Sequence, residues 1–362
     1  MYLKRLKISG FKNISEADIQ FSPKLNCISG INGSGKSNLL DSVYYLSMTK
    51  SYFSPLDIHT IASDESLCRV SGEYTREDGS IDNVVLKLER DGTKQFSNNG
   101  KLYSRLSDHI GLIPIVMVSP YDSCLINESG EERRRFINSI ISQLDREYLR
   151  RLQNYNQLLL QRNKVLKAPE LNVDLLDTLT ERMSLNATFI HKKREEFTSI
   201  LTPVTQRYYE LLSSARESIS INYKSDLYET TLEELHKTNA QRDIALKYTT
   251  TGIQRDDLLF FMNGNQFRLY GSQGQQKSFL IALKLAQFEI MSQIHKKPPI
   301  LLLDDLFDKL DMQRVESLLS LVSSSQFGQI FITDSNKVRV GDVLNRINGS
   351  SLSIELSAGR VL

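Results

Sequence analysis

The chain has 362 residues, 40% apolar and 24% charged, which suits a globular protein of two domains, or of one domain with a large insertion, and excludes global disorder. A formal net charge of +2 excludes a chain-wide nucleic-acid magnet, so any DNA-binding surface must be a local patch. The scattered cysteines Cys27, Cys68 and Cys124 lack metal-ligand spacing, and there is neither a signal-peptide pattern nor the run of roughly 18 apolar residues that spans a membrane, so a cytoplasmic protein with no membrane partner is expected.

From residue 1 to about 120 the chain shows short strand-like runs, YLKRLKIS, KLNCISG, CRVSGEYT, NVVLKLER and LIPIVMV, with one helix predicted over 38–46. From about 131 to 214 long segments rich in Leu, Arg, Gln and Glu carry helical spacing, with interruptions expected near KAPELN and at Pro203. After Asp226 strand-like runs return as IALKYT, LLFFMNG and QFRLYG. A helix is predicted over 275–295, then the apolar run ILLLDD, a further helix and the strand QIFITD. The simplest architecture is an α/β domain built from 1–120 and 226–362, with a mainly helical domain, 121–225, inserted between its halves.

Between the strand-like LNCIS and the helical NLLDSVYYL lies GINGSGKS, that is Gly30, Ile31, Asn32, Gly33, Ser34, Gly35, Lys36 and Ser37. It satisfies the phosphate-loop pattern G-x-x-x-x-G-K-[ST] in the strand-to-helix context the pattern requires. Small residues let successive backbone N–H groups face a phosphate at a helix start, Lys36 supplies a charge to the β- and γ-phosphates, and Ser37 supplies a hydroxyl to Mg²⁺. A Gly-rich turn alone would not need the Lys-Ser pair. Such a site needs an acidic partner, and the run Ile300 to Leu303 ends at Asp304 and Asp305, where ligands of α/β sheets sit. Asp304 is the expected Mg²⁺ carboxylate and Asp305 the expected water-positioning residue; paired aspartates after a strand also cap helices. With Lys36 they form the expected catalytic set. A lone aspartate base predicts slow turnover, with ATP binding and release acting mainly as a switch.

Further on, YGSQGQQKS opens the predicted late helix, and Ser272, Gln273 and Gly274 form an anion-binding turn at its start. The chain's own phosphate loop already cradles its nucleotide, so this second receptor makes sense for ATP held by another copy. That arrangement is the signature of ABC-type ATPases, usually Leu-Ser-Gly-Gly-Gln, here with Gln in the first Gly position. An ordinary helix capped by Ser272 would give the same residues.

With YLKRLKISGFKNI, ERRRFIN, QRNKVLK and RDDL in order around these motifs, the chain resembles, nearly end to end, the RecF family of bacterial recombination and repair proteins, relatives of SMC-type ABC ATPase heads. The resemblance implies a P-loop NTPase of ABC-ATPase type with a mixed α/β sheet and a helical insertion, with ATP and Mg²⁺ as cofactors. It implies an ATP-dependent homodimer, binding of double-stranded and gapped DNA, and work with RecR and RecO. RecA would be loaded at single-strand gaps in recombinational repair, replication restart and the SOS response. It departs from the family where Ile253 and Gln254 replace Pro-His before Arg255, and where Phe53 stands for a common Arg. Asp334 stands where a transporter ATPase has its switch His.

Basic clusters, ERRRF, REYLRR, QRNKVLK and HKKREE, all lie in the expected insertion. Each supports either phosphate contacts or internal ion pairs, so the DNA expectation rests chiefly on the resemblance. The alternative is the ATP-binding subunit of an ABC transporter, which would require a membrane partner and a switch His.

Overall fold

The computed structural model describes residues 1–213, 217–306, 312–322, 324, 326–336 and 350–361. Contacts divide the chain into one unit of Met1–Asp122, Leu211–Ser214 and Gln273–Leu362 and a second of Ser123–Glu210 and Ala215–Ser272.

In the first unit, buried and exposed side chains alternate along β1 (Tyr2–Phe11) and β2 (Ile14–Gln20), the period of strands with one covered face. β3 (Leu25–Ser29) is buried at every position and leads through the Gly-rich loop into α1 (Lys36–Met48). β4 (Leu67–Thr75), β5 (Ile81–Glu89), β6 (Lys94–Asn98) and β7 (Lys101–Leu102) complete an antiparallel sheet in the order β2-β1-β4-β5-β6-β7. β8 (Ile115–Val118) joins a second sheet instead.

The second unit contains α2 (Cys124–Asn127), α3 (Gly130–Leu144), α4 (Arg146–Leu166) and most of α5 (Val173–Ser213). There follow β9 (Ile219–Lys224), α6 (Leu232–Thr238), α7 (Ala240–Leu246), β10 (Asp257–Met262), β11 (Asn265–Gln266) and α8 (Phe267–Tyr270). The chain then re-enters the first unit with α9 (Gln273–His295), β12 (Ile300–Leu303), α10 (Met312–Val322), β13 (Ile330–Asp334), β14 (Ser351–Ser357) and β15 (Arg360–Val361). The second sheet runs β15-β14-β3-β13-β12-β8, parallel from β14 to β8, with β15 antiparallel at the edge. Its central strands β3, β13 and β12 are buried at every position because both faces are covered, and β12 is an unbroken apolar run. Leu39, Leu40, Val43 and Leu46 of α1 share one core with residues of both sheets.

The unit boundary at 272 differs from the return at 226 expected from composition. Among the described residues β9, β10 and β11 pair only with one another, and α3 packs on β10, so residues 226–272 belong with the helices. IALKYT, expected as a strand, forms the end of α7 and a turn. Asp243 of α7 is buried there against Arg162 of α4 at 2.7 Å, a long-range pair that overrides the local β preference. QFRLYG yields only the end of β11, because Asn263 and Gly264, both at positive φ, make the tight hairpin turn and Phe267 then starts α8. Pro203 does not interrupt α5. Pro203 and Ser199, whose carbonyl loses its helical donor, both lie on the exposed face, while Leu201 and Thr205 stay buried, so the lost bond falls on the solvent side of the helix. The part of the acidic motif over 307–311 lies outside the described residues. Among the described residues no helix is long and apolar enough to cross a membrane.

Buried charge organises the second unit. Arg194 of α5 meets Asp256 at 2.5 Å, both side chains 2% exposed, and donates further to Ile253 O at 2.8 Å and to Asn138 Oδ1 at 3.0 Å. Tyr223 OH donates to the same Asp256 oxygen. Removing one partner of such a pair strands the other charge, so Arg194→Ala is expected to cost about 3–5 kcal/mol in urea unfolding. Burial also holds His109 of the first unit and His236 of the second down to about 4. Between about 4 and the ordinary value near 6.5 the unfolded chain binds these protons and the folded chain does not. Stability is therefore full above about pH 6.5 and falls as pH drops toward 4, and His109→Gln should flatten that loss in thermal melts.

Candidate nucleotide site

The loop from Gly30 to Ser37 starts at the end of β3, as parallel-sheet topology requires of a ligand site. Gly35 is the N-cap of α1 at φ 107°, a conformation that disfavours any side chain, and no side chain caps the helix. The first-turn N–H groups are thereby left to an anion. Ser34 Oγ is buried without a hydrogen-bond partner in the same loop. Lys36 Nζ donates to Gly30 O at 2.8 Å and Ile31 O at 3.1 Å, which folds its charge over the cradle. These features fit a bound phosphate chain.

Residues that sequence reasoning missed buttress the loop. Asn13 Nδ2 donates to Gly33 O at 3.0 Å, and Asn13 Oδ1 accepts from Asn38 Nδ2 at 2.7 Å. Gly359 donates its N–H to Ser34 O at 2.9 Å from the turn between β14 and β15. At φ 76°, with a notional Cβ 2.0 Å from Asn13 O, only glycine fits there. Nothing local in the sequence flags Asn13 or Gly359, since each acts on a loop distant in the chain.

Asp304 and Asp305 follow β12. Ser37 Oγ donates to Asp304 Oδ1 at 2.9 Å, so the two expected Mg²⁺ ligands meet. A hydroxyl and a carboxylate are hard oxygen donors of the kind Mg²⁺ takes, which makes the pair a fit for that ion. Thr333 Oγ1 donates to the same Asp304 oxygen at 2.8 Å. Burial pushes the Asp304 carboxyl up, while the hydrogen bonds from Thr333 and Ser37 pull it back and the Asp305 charge adds to the rise. Asp305 has φ 46°, and its Oδ1 is buried without a partner. Asp334 ends β13, fully buried, and accepts from the backbone of Asn336 at 2.7 Å.

Gln273 and Gly274 open α9, and Ser272 precedes them; Ser272 and Gln273 are exposed. A Cβ at Gly274 would lie 2.7 Å from Arg314 Nη1, so glycine here makes room for a guanidinium. Farther along α9, Lys284 forms a buried 2.8 Å pair with Asp122, and Tyr52 OH bonds the same carboxylate. The turn after α1 is thus tied to α9. Phe53 packs in this turn beside Tyr52 and Tyr121, with Lys12 Nζ 5.4 Å from its ring.

The basic clusters are largely spent on structure. Arg133 bonds Asp257 through two nitrogens at 2.7 and 2.9 Å, and Arg134 donates to Asp256 O at 2.8 Å. Arg135 is exposed and bridges Glu131 and Glu132. Arg150 and Arg151 share Glu147, Arg162 and Arg194 are buried, and Lys193 pairs with Asp145. The RDDL aspartates thus receive ERRRF arginines within the second unit. Gln254 is held by Tyr155 OH and Thr251 O, also inside this unit.

Comparison with known proteins shows the family of this chain. Residues 2–350 match the RecF/RecN/SMC N terminal domain. The chain is 43% identical to the DNA replication and repair protein RecF of Parabacteroides distasonis, covering 100% of this chain and 99% of that protein. It is 42% identical to the RecF of Flavobacterium johnsoniae, covering 94% and 95%. A solved structure of the recombination mediator protein RecF with ATP in the RecFOR pathway superposes with a TM-score of 0.89 at 26% identity, covering 100% of this chain and 97% of that one. An Smc head bound to the C-winged helix domain of ScpA, at 16% identity and TM-score 0.59, shares the fold; it covers 100% and 97% of the two chains. The transporter alternative draws no support from these relatives.

Loss of the Lys36 charge is expected to weaken ATP binding about a hundredfold in Lys36→Ala, read by fluorescent-nucleotide titration, with the thermal midpoint of the nucleotide-free protein unchanged.

Proposed function

Because this chain belongs to the RecF/RecN/SMC family, and within it to the RecF proteins, we propose how its residues carry the work of an ATP-dependent DNA repair protein of the recombination-mediator class. The observation that carries the reading is the 2.9 Å hydrogen bond from Ser37 to Asp304, which joins the phosphate loop to the acidic strand end. Gly30 to Ser37 hold the phosphates of ATP with backbone N–H groups, and Lys36 exchanges its loop carbonyls for β- and γ-oxygens. Ser37 and Asp304 hold Mg²⁺, which when bound neutralises phosphate charge. Asp305, with its unpartnered oxygen, orients the attacking water and accepts its proton. With one carboxylate and no histidine at position 334, turnover is slow, and ATP acts mainly as a switch.

Ser272, Gln273 and Gly274 serve the γ-phosphate of ATP held by a second copy, so two chains close over two nucleotides. Exposure of Ser272 and Gln273 supports that role. The closed dimer binds double-stranded and gapped DNA in the cytoplasm, and with RecR and RecO it promotes loading of RecA at single-strand gaps. DNA affinity comes from exposed cations through phosphate contacts, without base readout.

Replacing Ser272 by Arg is expected to abolish ATP-dependent dimerisation in light scattering while ATP binding stays within about threefold of wild type. Wild-type duplex affinity should rise with ATP and fall steeply as salt increases, because phosphate contacts release counterions. Normal dimerisation of Ser272→Arg would remove the shared-site reading.

A further inference from the structure

One buried hydroxyl links the two aspartates that follow β12. Thr333 Oγ1 donates to Asp304 Oδ1 at 2.8 Å and accepts the backbone N–H of Asp305 at 2.9 Å. An amide nitrogen can only donate and an ionised carboxylate can only accept, so the group linking them must do both. A hydroxyl does; a valine of the same shape satisfies neither.

The two bonds fix different things. Asp304 is already held at its main chain by Val118 O at 2.8 Å, and its Oδ1 is gripped from a second side by Ser37 Oγ. The Thr333 bond therefore sets where that oxygen points. Asp305 has less support, because the β12 ladder ends with Leu303 opposite Ile332 and Val118. At φ 46° Asp305 holds a left-handed conformation that a side chain disfavours. The Thr333 hydroxyl takes the N–H that the ladder has released and so secures the turn aiming the Asp305 carboxylate. That carboxylate keeps one buried oxygen without a partner. Thr333 is itself 0% exposed, so it works through the aspartates and not on a ligand.

We infer that Thr333 is a positioning residue whose single hydroxyl sets the spacing between a metal-facing carboxylate, Asp304, and a water-facing one, Asp305. The inference rests on the roles given above to those aspartates. Sequence patterns do not mark it, since Thr333 lies inside the strand QIFITD and its partners belong to β12 and the turn after it.

The test uses the full chain with Thr333→Val, Thr333→Ser and Thr333→Ala, each checked by thermal melting. Fluorescent ATP binding is measured with Mg²⁺ and with chelator, and steady-state hydrolysis is resolved into kcat and KM. In Thr333→Val the gain in ATP affinity that Mg²⁺ confers should fall about tenfold with chelator affinity unchanged, and kcat should fall about a hundredfold with KM within about threefold. Thr333→Ser should restore both. Thr333→Ala should repeat the valine result, and replaces it if the valine protein melts below assay temperature. Wild-type Mg²⁺ gain and kcat in the hydroxyl-free variants, a serine variant as impaired as valine, or a parallel loss of chelator affinity overturns the inference. Asp304→Asn and Asp305→Asn separate the two levels. If the first keeps the Mg²⁺ gain and the second hydrolyses normally, the assigned aspartate roles fail; if both behave as assigned while valine does not, only the role of Thr333 fails.

Discussion

The candidate nucleotide site depends on three parallel strands lying side by side, β3, β13 and β12, in that order. β3 delivers the phosphate loop, β12 the aspartates, and β13 the hydroxyl between them. Ser37 and Asp304, which touch, are 267 positions apart, and the whole second unit is spliced into the interval. Register therefore does what proximity in sequence does elsewhere. A one-residue slip of β13 would turn Thr333 to the other face and part the carboxylates from their hinge.

Covering α1 between two sheets follows from the same arrangement. A helix carrying Lys36, Asp41, Ser42 and Ser47 as buried groups needs a partner for each of them, and Ser42 finds its own inside the helix at Leu39 O. Asp41 takes Lys12 at 2.6 Å, Ser51 Oγ at 2.6 Å and the N–H of Tyr52 at 2.7 Å, which pins the turn after β1 and the turn after the helix to one carboxylate. Ser47 donates to Ile113 O. The phosphate-loop end of α1 has no side-chain cap at Gly35, while Asp41 and Ser47 fasten the body of the helix.

Much of this was legible from residues alone. Gly30 to Ser37, the aspartate pair and the late helix start are local patterns, and local patterns survive folding. Thr333, Asn13 and Gly359 were not legible because each acts across a sheet or a hairpin on a partner far along the chain. The arginine clusters are ambiguous in sequence for a related reason: a run such as ERRRF fits phosphate contacts or internal ion pairs, and only the fold shows that Asp256 and Asp257 take two of those side chains. IALKYT was misread because burial of Asp243 against Arg162 outweighs β-branched preference. Where such ion pairs are internal, the charge left for DNA is smaller than the cluster count suggests.

Gln329, just ahead of β13, joins the two sheets of the first unit in an unusual way. Its side-chain amide accepts from Leu3 N at 2.7 Å and donates to Leu3 O and Ser22 O, both at 2.8 Å, beside the irregular register of β1 against β4. An amide is the side chain that copies a peptide's own donor and acceptor, so it stands in for a rung of strand. Mutational tolerance at this position is therefore governed by hydrogen-bond polarity more than by size. Glutamate, nearly isosteric, would face two carbonyls with lone pairs, and a surface screen that ranks positions by distance from the nucleotide would overlook it.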